Sequence, residues 1–345
     1  MKILRSEITI GNYKMSYSVN CTIESSWMEF TEKATIELPT SLYINNKNVI
    51  IGTNNVFKRG DAVIIKAGYD KTASNLETIF TGYISAVKPN NPVIIECEDA
   101  MWLLKQKNIA SKSWANVTID ELMTYVLAGT NIEVEYIGVQ KSDSIGAFLI
   151  DNNSVVNIVQ VLEEIKDQLS LVSYIRGGKL VIGLLNSQTA TNHDFGFQFN
   201  IIDNNLEYRR VDDVVYSLKG VATLDDNTKV TRYAWYKDSV FTITDADPSG
   251  NQFTYNIYYH NKTQAQAKIL LDAELTRRFP LMIYEGYYGS FTTFLEPKVI
   301  HGDKVTLYDK KYSERNGQSY YINKVVTSFG INGGRQEITL GSRAS

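Results

Sequence analysis

Two distant segments of the chain open a strand with the same residues, and this repeat constrains the fold more than any other feature. Phe57–Val63 (FKRGDAV) and Val299–Val305 (VIHGDKV) each place Gly-Asp directly before an apolar strand. Each strand leads through a loop to a strand with Tyr-Ile, Tyr83-Ile84 or Tyr321-Ile322, and then to one further strand. Glycine permits the tight entry, and aspartate can accept hydrogen bonds from backbone amides at the turn. The shared order predicts two related β-barrels. We expect four residues to act as structural strand openers: Gly60, Asp61, Gly302 and Asp303.

The pattern of the first hundred residues predicts strands almost throughout. Thr35–Leu38 alternates polar and apolar residues and ends at Pro39, which cannot donate a hydrogen bond to a sheet. Thr78–Ile84 and Val93–Glu98 follow at the short spacing of a barrel or sandwich. The 22 tyrosines of the chain point the same way, because tyrosine favours strands. We therefore assign 1–100 to the first β-barrel domain.

A helical pattern replaces the strands after residue 100. Thr118–Glu121 has the spacing of a capping box, and Gly129 is placed to end that helix. A second helix is predicted to run from Ser154 with apolar residues at helical spacing. Gly177-Gly178 then separates two apolar strands, which indicates a hairpin. Residues 101–200 are predicted to form a small α/β domain.

Strands resume after residue 200 and are interrupted by one more helix. The helix is predicted from Thr263 to Phe279, with Pro280 stopping it. We group this helix, 263–280, with the α/β domain, and assign 201–262 and 281–345 to the second β-barrel domain. The predicted fold is mainly β with an α+β insert, two related β-barrel domains flanking a small α/β domain.

Composition and charge exclude several classes of protein. The formal net charge is −3, so the sequence offers no overall basic surface for DNA phosphates, and sequence-specific nucleic-acid binding is not expected. Cys21 and Cys97 read as buried small hydrophobic residues, with a single bridge as the other option. No apolar run has the length of a signal sequence or a membrane span, so we expect folding in the cytoplasm.

Residues that might carry chemistry do not form a known catalytic pattern. His193, His260 and His301 lie far apart, without a zinc motif, a nucleophile elbow or a nucleotide-binding loop. Glu96 and Glu98 share one strand face, which is typical of a solvated strand, and Asp99 follows them. We expect no catalytic residue and no cofactor.

The nearest approach to a metal site is the loop at residues 245–250. Asp245, Asp247 and Ser249 place oxygen atoms at alternate positions before Gly250, as in the first half of a calcium loop. Asn256 stands where such a loop needs a bidentate glutamate. A polar hairpin loop is therefore the preferred interpretation, and no metal is expected.

Six tyrosines leave two interpretations open. They lie in two groups, Tyr255, Tyr258 and Tyr259, and Tyr284, Tyr287 and Tyr288. They can form a platform that stacks on sugars, or they can be barrel and subunit-contact residues, since tyrosine is favoured in strands and at interfaces. We prefer the second interpretation.

Taken together, these segments resemble the baseplate hub or tail-hub proteins of phages. This family includes the late control protein D group and the amino-terminal part of type VI secretion spikes. The resemblance covers nearly the whole chain, and the shared order of the segments is stronger evidence than any single motif. It rests on Ser25–Thr31, Ala34–Pro39, Phe57–Asp61, Ile79–Ile84, Glu96–Asp99, Gly289–Phe291, Pro297–Asp303, Tyr321–Val325 and Phe329–Gly341.

The resemblance implies a structural protein of a phage or phage-like contractile tail. It implies a homotrimer whose two barrels per copy form a ring with six similar faces, joining a sixfold tail tube to a threefold central spike and lining the channel. The implied partners are the spike, tail tube, tape-measure and baseplate wedge proteins, and the implied location is the virion tail or baseplate, assembled in the bacterial host cytoplasm. Two alternatives stay open, a surface glycan-binding module and a cell-wall hydrolase.

Overall fold

The structure is a computed structural model. It describes residues 3–16, 18–44, 47–51, 56–69, 76–150, 156–169, 171–183, 190–210, 216–237, 240–248, 250–259 and 262–344. Strands predominate over helices, which confirms the mainly β fold. Thirteen of the strands belong to one continuous sheet with two related halves.

The first half of the sheet is built from the start of the chain. Its strands have the order β2-β1-β7-β8-β9-β4-β3, and a separate hairpin, β5 and β6, stands beside them. Every second residue of β9 is buried, as expected for a strand with one face on a core. The nine strands are β1 (Leu4–Ile10), β2 (Tyr13–Met15), β3 (Asn20–Ser26), β4 (Lys33–Leu38), β5 (Ser41–Ile44), β6 (Lys47–Ile50), β7 (Ala62–Tyr69), β8 (Glu77–Lys88) and β9 (Val93–Glu98).

An α/β unit follows, with its own hydrophobic core. Its strands form two two-stranded sheets, β10-β14 and β11-β13, and a three-stranded sheet, β12-β16-β15. The elements are α1 (Met101–Lys105), β10 (Asn108–Ile109), β11 (Lys112–Thr118), α2 (Ile119–Val126), β12 (Val134–Ile137), β13 (Ser144–Ile150), β14 (Val156–Asn157), α3 (Ile158–Leu169), β15 (Val172–Arg176) and β16 (Lys179–Gly183).

Two of the three helices of this unit, α2 and α3, begin at capping residues, of which the sequence identified one. The Thr118–Glu121 capping box is formed at the start of α2, which confirms that prediction. Helix α3 begins at Ile158, after a short strand; the predicted start at Ser154 lies outside the described residues. The cap of α3 is Asn157, whose Oδ1 accepts the Gln160 amide at 3.0 Å while Gln160 Oε1 accepts the Asn157 amide at 2.8 Å.

Two strands then return to the large sheet before a second insertion. They are β17 (Asn192–Gly196) and β18 (Ile201–Arg209). The insertion is a four-stranded sheet in the order β21-β20-β19-β22, covered by one helix. Its elements are β19 (Tyr216–Leu224), β20 (Lys229–Lys237), β21 (Val240–Thr244), β22 (Asn251–Tyr259) and α4 (Gln264–Met282).

The insertion bears on two sequence-based assignments. The strands between 216 and 259 form their own sheet, although the sequence placed 201–262 in the second barrel. Helix α4 packs its buried residues Leu271 and Leu275 against this sheet, although the sequence grouped 263–280 with the α/β domain. Periodicity shows which face of a helix is buried but not what covers it. The helix also continues past Pro280 to Met282, because a proline in the last turn removes only one hydrogen bond.

The second half of the large sheet is completed at the end of the chain. Its strands have the order β17-β24-β25-β26-β23-β18. The remaining strands are β23 (Gly286–Thr293), β24 (Lys304–Tyr308), β25 (Gln318–Gly330) and β26 (Gly333–Arg343). Among the described residues, strand pairing does not close either half into a complete barrel.

The two halves have the same spatial order of strands. The order β1-β7-β8-β9-β4-β3 in the first half corresponds to β17-β24-β25-β26-β23-β18 in the second. The strand directions also agree, except that β1 is antiparallel to β7 whereas β17 is parallel to β24. The α/β unit and the four-stranded sheet are insertions into this doubled plan, after β9 and after β18. The predicted domain bounds themselves stay a prediction.

Candidate functional site at the joint of the two sheets

The two Gly-Asp turns make the same backbone hydrogen bonds. The φ angles of Gly60 and Gly302 are 91° and 84°, in the region that favours glycine. The Gly60 amide donates to Ile84 O at 2.8 Å, and the Gly302 amide donates to Ile322 O at 2.8 Å. In return, Ile84 donates to the carbonyl of Asp61 at 3.0 Å, and Ile322 donates to that of Asp303 at 2.9 Å. Each turn therefore ties the start of one strand to the Tyr-Ile strand beside it.

The aspartate side chains also act alike. Asp61 Oδ2 accepts the Lys58 amide at 2.8 Å, and Asp303 Oδ2 accepts the Ile300 amide at 3.4 Å. Asp303 has an additional partner, His193 Nε2, at 3.0 Å. The contacts to Lys58 and Ile300 hold the two turns in place, and the contact to His193 joins the second turn to β17. The assignment of the two aspartates as strand openers stays a prediction.

The two halves of the large sheet are joined by backbone pairing of β3 with β25. The pairing is antiparallel and spans seven residue pairs, from Lys324 opposite Ser26 to Gly330 opposite Asn20. Side chains reinforce it, since Lys324 Nζ lies 2.8 Å from Glu24 Oε2 and Trp27 Nε1 donates to Asn323 Oδ1 at 2.8 Å. Continuous pairing across the joint makes the two halves one rigid platform.

A buried polar cluster ties the α/β unit to this joint. Ser25 Oγ lies 2.6 Å from His301 Nδ1, and Arg176 donates to the backbone carbonyl of His301 at 2.5 Å. The Tyr174 ring packs edge-on against the His301 ring, with centroids 4.6 Å apart. Ser25 lies on β3, Tyr174 and Arg176 on β15, and His301 next to the second Gly-Asp turn. Three parts of the fold therefore meet at one histidine.

The electrostatics of His301 favour a structural role. Burial, with a smaller contribution from Arg176, lowers the pKa of His301 to about 3, so the ring is neutral at ordinary pH. Its Nε2 atom has no hydrogen-bond partner among the described residues. A base this weak cannot take a proton from the Ser25 hydroxyl, so proximity of the two residues does not make them a catalytic pair. The sequence motifs around His301 indicated no catalytic role, and none of them connected His301 to Ser25 or Arg176.

Two buried carboxyl groups lie on the first half next to the same joint. Burial and the nearby Asp99 raise the pKa of Glu32 to about 8, while the Ser25 hydroxyl acts against this rise. Burial raises the pKa of Asp99 to about 7, opposed by the amides of Glu32 and Met101, which donate to its carboxylate at 3.0 and 2.9 Å. Asp99 thereby links the start of β4 to the start of α1.

A cavity of about 440 Å³ opens beside the joint. Its walls combine apolar side chains with a few polar groups, including Ile23, Ser25, Glu32, Leu295, Val325 and Thr327. The cavity lies between the first half and the loop that leads into the second Gly-Asp turn. Its polar groups include Ser25 and Glu32, which belong to the buried cluster described above.

The predicted metal candidates are engaged in other contacts. Asp245 Oδ1 lies 2.6 Å from Arg232 Nη1, and its Oδ2 lies 2.8 Å from Lys268 Nζ. Asp247 Oδ1 accepts a hydrogen bond from Gln252 Nε2 at 2.8 Å, and Ser249 lies outside the described residues. Two cationic partners on Asp245 fit a metal ion poorly. The described part of the chain contains no group of three or more acidic, histidine or cysteine side chains that could hold a metal.

The other candidate groups are also parts of the framework. Glu96 pairs with Lys88, and Glu98 Oε2 lies 2.6 Å from Lys105 Nζ. Cys21 and Cys97 are free, buried thiols, and burial raises the pKa of both, that of Cys97 to about 12. None of these contacts places two carboxyl groups across a cleft, as acid–base hydrolysis requires.

The tyrosines fall into different units. Tyr284 and Tyr288 stack with ring centroids 4.3 Å apart on the second half of the large sheet, where both hydroxyls donate to backbone carbonyls. Tyr255 packs in the core of the four-stranded sheet, with the Arg278 guanidinium 3.9 Å from its ring centre. Among the side chains that the structure describes, no ring contact joins the two groups.

Comparisons with known proteins rest on structure alone. No protein-family model and no curated relative matches the sequence. A tail protein from Neisseria meningitidis matches 98% of this chain and 96% of its own, with TM-score 0.64 and 12% identity. The 43 kDa tail protein of prophage MuSo2 from Shewanella oneidensis matches 98% of both chains, with TM-score 0.64 and 13% identity. A component of the Escherichia coli type VI secretion system matches 98% of this chain and 79% of its own, with TM-score 0.56 and 8% identity.

These matches establish the fold over essentially the whole chain. The secretion component is itself described as structurally similar to the tail proteins gp27 and gp5 of bacteriophage T4. The resemblance to tail-hub proteins that the sequence motifs indicated is therefore confirmed at the level of the fold. No helix within the described ranges has both the length and the apolar character needed to cross a membrane.

Proposed function

We propose that the chain is a structural hub protein of a phage or phage-like contractile tail. Three copies form a ring that joins a sixfold tail tube to a threefold central spike and lines the channel between them. The observation that carries this proposal is the doubled sheet, in which one chain supplies the same six-strand order twice, with matching directions for the last five strands of each half. Three such chains present six similar units, which is the number that a sixfold partner requires.

The full-length match to tail proteins supports the same proposal. Both tail proteins are covered almost from end to end, so the likeness includes the insertions as well as the doubled sheet. Fold alone does not fix function, and the side chains therefore have to be considered separately. Asp61, Asp303, His193 and His301 hold turns and units together, which fits a scaffold, whereas His260 lies outside the described residues. On this basis we expect the spike, tube, tape-measure and wedge proteins as partners, and the tail or baseplate as the location.

The molar mass in solution tests this proposal. A trimer has three times the chain mass of 39.0 kDa, and light scattering or native mass spectrometry separates it clearly from a monomer. Electron micrographs of the isolated ring are expected to show threefold symmetry with six similar lobes when viewed along the axis. A strict monomer at high concentration, with no trimer after spike or tube partners are added, would overturn it.

An assay of cell-wall degradation tests the non-enzymatic part. We expect purified protein to release no peptidoglycan fragments. Degradation that disappears in Glu98→Gln would show a hydrolase instead. Because Glu98 contacts Lys105 in the structure, the variant has to be checked for an unchanged unfolding midpoint.

A further inference from the structure

Among the described residues, two strand edges of the large sheet are unpaired. They belong to β18 and to the end of β8, which are the counterparts of the two strands of the joint, β3 and β25. Among the strand pairs of the described residues, β18 pairs only with β23. The end of β8, from Ala86 to Lys88, pairs with β9 but not with β7, whose pairing with β8 ends at Tyr83. An unpaired edge presents backbone N–H and C=O groups that can pair with another strand.

The shared strand order of the two halves identifies the counterpart of each unpaired edge. In the first half, Ile84 lies opposite Cys97 and the register shifts before Ala86; in the second half, Ile322 lies opposite Leu340 and the register shifts before Lys324. Val87 in β8 therefore corresponds to Val325 in β25.

Comparing opposite residues strand by strand also relates β18 in the second half to β3 in the first half. Glu96 on β9 and Thr339 on β26 occupy equivalent places in the two halves. Glu96 lies opposite Thr35 on β4, and Thr339 lies opposite Ser290 on β23. Thr35 lies opposite Thr22, and Ser290 lies opposite Asn205. Two residues further along each strand, Glu24 on β3 corresponds to Glu207 on β18.

We propose that β18 of one copy pairs with the end of β8 of the next copy, repeating between chains the pairing that joins β3 to β25 within the chain. This inference rests on the proposed function, because it specifies how the ring closes. Within the chain, Ser25 lies opposite Val325 and Glu24 opposite Val326. The equivalent pairing places Tyr208 opposite Val87 of the next copy, and Glu207 opposite Lys88 of the next copy.

Charge and exposure favour this arrangement. Glu207 and Lys88 carry opposite charges, and directly opposite pairs of this kind stabilise antiparallel strands. Within one copy Glu207 already pairs with Arg209 and Lys88 with Glu96, so the contact between copies would extend these two ion pairs. Asp203, Asn204 and Asn205 on β18 are exposed and polar, which protects the part of this edge that lies beyond the three-residue joint from pairing with other strands. A head-to-tail contact of this type uses different surfaces on the two copies, and it closes into a ring when the rotation between copies allows.

The joint between copies is shorter than the joint within the chain. Pro89 follows Lys88 and has no backbone N–H, so it ends the pairing where β25 continues to Gly330. Three residue pairs then remain, at Ala86, Val87 and Lys88, against seven within the chain. The ring therefore separates between copies before it separates within one.

Cysteine crosslinking tests the register. The double variant Lys88→Cys with Glu207→Cys, oxidised in full-length protein, is expected to give covalent dimers and trimers on a non-reducing gel. Each single variant keeps the buried native thiols and serves as the background control. A register control pairs Lys88→Cys with Asp203→Cys, which lies four residues or about 13 Å further along β18 and should not crosslink.

A charge exchange gives a second, reversible readout. Lys88→Glu places two acids opposite each other at every joint and is expected to raise the trimer dissociation constant about tenfold over three joints. Adding Glu207→Lys should restore the wild-type value. If wild type is a trimer but neither the crosslink nor the rescue appears, the joint is wrong while the hub proposal stands. If wild type never forms a trimer, both proposals fail.

Discussion

The two Gly-Asp turns share their backbone geometry but differ in what surrounds them. The first turn lies near the surface, where the Arg59 guanidinium stands over the Trp102 ring at 5.9 Å. The second is buried, with His301 in the position that Arg59 occupies and with Asp303 bonded to His193. The first turn only opens a strand, whereas the second also anchors the joint and the α/β unit. A repeated motif therefore specifies the local backbone conformation. The residues packed around it determine how strongly the fold depends on that turn.

The largest expected difference comes from removing the two aspartates. Asp303→Ala leaves the buried His193 and the Ile300 amide without their acceptor and is expected to cost about 3 kcal/mol of unfolding free energy. Asp61→Ala removes one half-exposed turn bond and should cost about 1 kcal/mol. Chemical denaturation of the two variants measures the comparison. Equal losses would mean that the surroundings of the second turn add nothing.

Arg176 tests whether the second turn holds the α/β unit. Arg176→Met keeps a long side chain but removes the bond to the His301 carbonyl, and is expected to cost about 2 kcal/mol. Hydrogen exchange should rise in β15 and next to His301 while β7 and β8 keep their protection. Arg59→Met is the matched control at the first turn and should change little. A general rise in exchange across the sheet would contradict this local role.

Glu32 tests the electrostatics of the same joint. Its pKa is raised from 4.5 to about 8, so the folded state holds the proton more tightly than the unfolded state. Its contribution to stability is therefore most favourable below about pH 4.5 and falls as the pH rises towards 8. Glu32→Gln should match wild type near pH 4.5 and exceed its unfolding midpoint by on the order of 3 °C at pH 9.

The control for this prediction is a scan of both proteins over the same pH range. His301 has a lowered pKa, so its contribution is lost as the pH falls below its ordinary value of 6.5, and this loss is common to both proteins. The difference between the two midpoints therefore reports Glu32 together with its interaction with Asp99, whose pKa is raised to about 7 by burial. A constant difference at every pH would rule out a raised pKa in the folded protein.

The smallest expected effect lies at the exposed edge of the joint. Lys324→Ala removes the ion pair with Glu24, and both side chains are substantially exposed. Exposed pairs contribute little, so the loss should stay below about 1 kcal/mol. Denaturation in low and high salt measures it, and the difference from wild type should shrink in salt. A larger loss would show that the ion pair, more than the backbone pairing, holds the two halves together.

Local features of the fold were predictable where short-range interactions decide them. The Thr118 capping box and the strands after each Gly-Asp turn depend on residues within a few positions of each other. The start of α3 was missed because Asn157 caps the helix directly after a short strand, which periodicity does not reveal. The partner of α4 was missed because its apolar stripe fits any apolar surface of suitable shape.

The candidate site itself was not predictable from the sequence, although one of its residues was noticed. Ser25 and His301 are separated by 276 positions, and neither belongs to a motif that requires the other. Their meeting follows from the pairing of β3 with β25, which brings the two ends of the chain together. A serine two residues before a tryptophan and a histidine before Gly-Asp have ordinary local explanations, so no sequence motif connected them.

The sequence by itself determined that the chain carries one turn-and-strand plan twice, because glycine at positive φ and alternating burial are properties of neighbouring residues. Only the tertiary structure decided that β3 pairs with β25, that α4 covers its own sheet, and that Asp303 is buried while Asp61 is not. Every strand edge offers the same backbone donors and acceptors, so the choice of partner depends on the packing of distant segments.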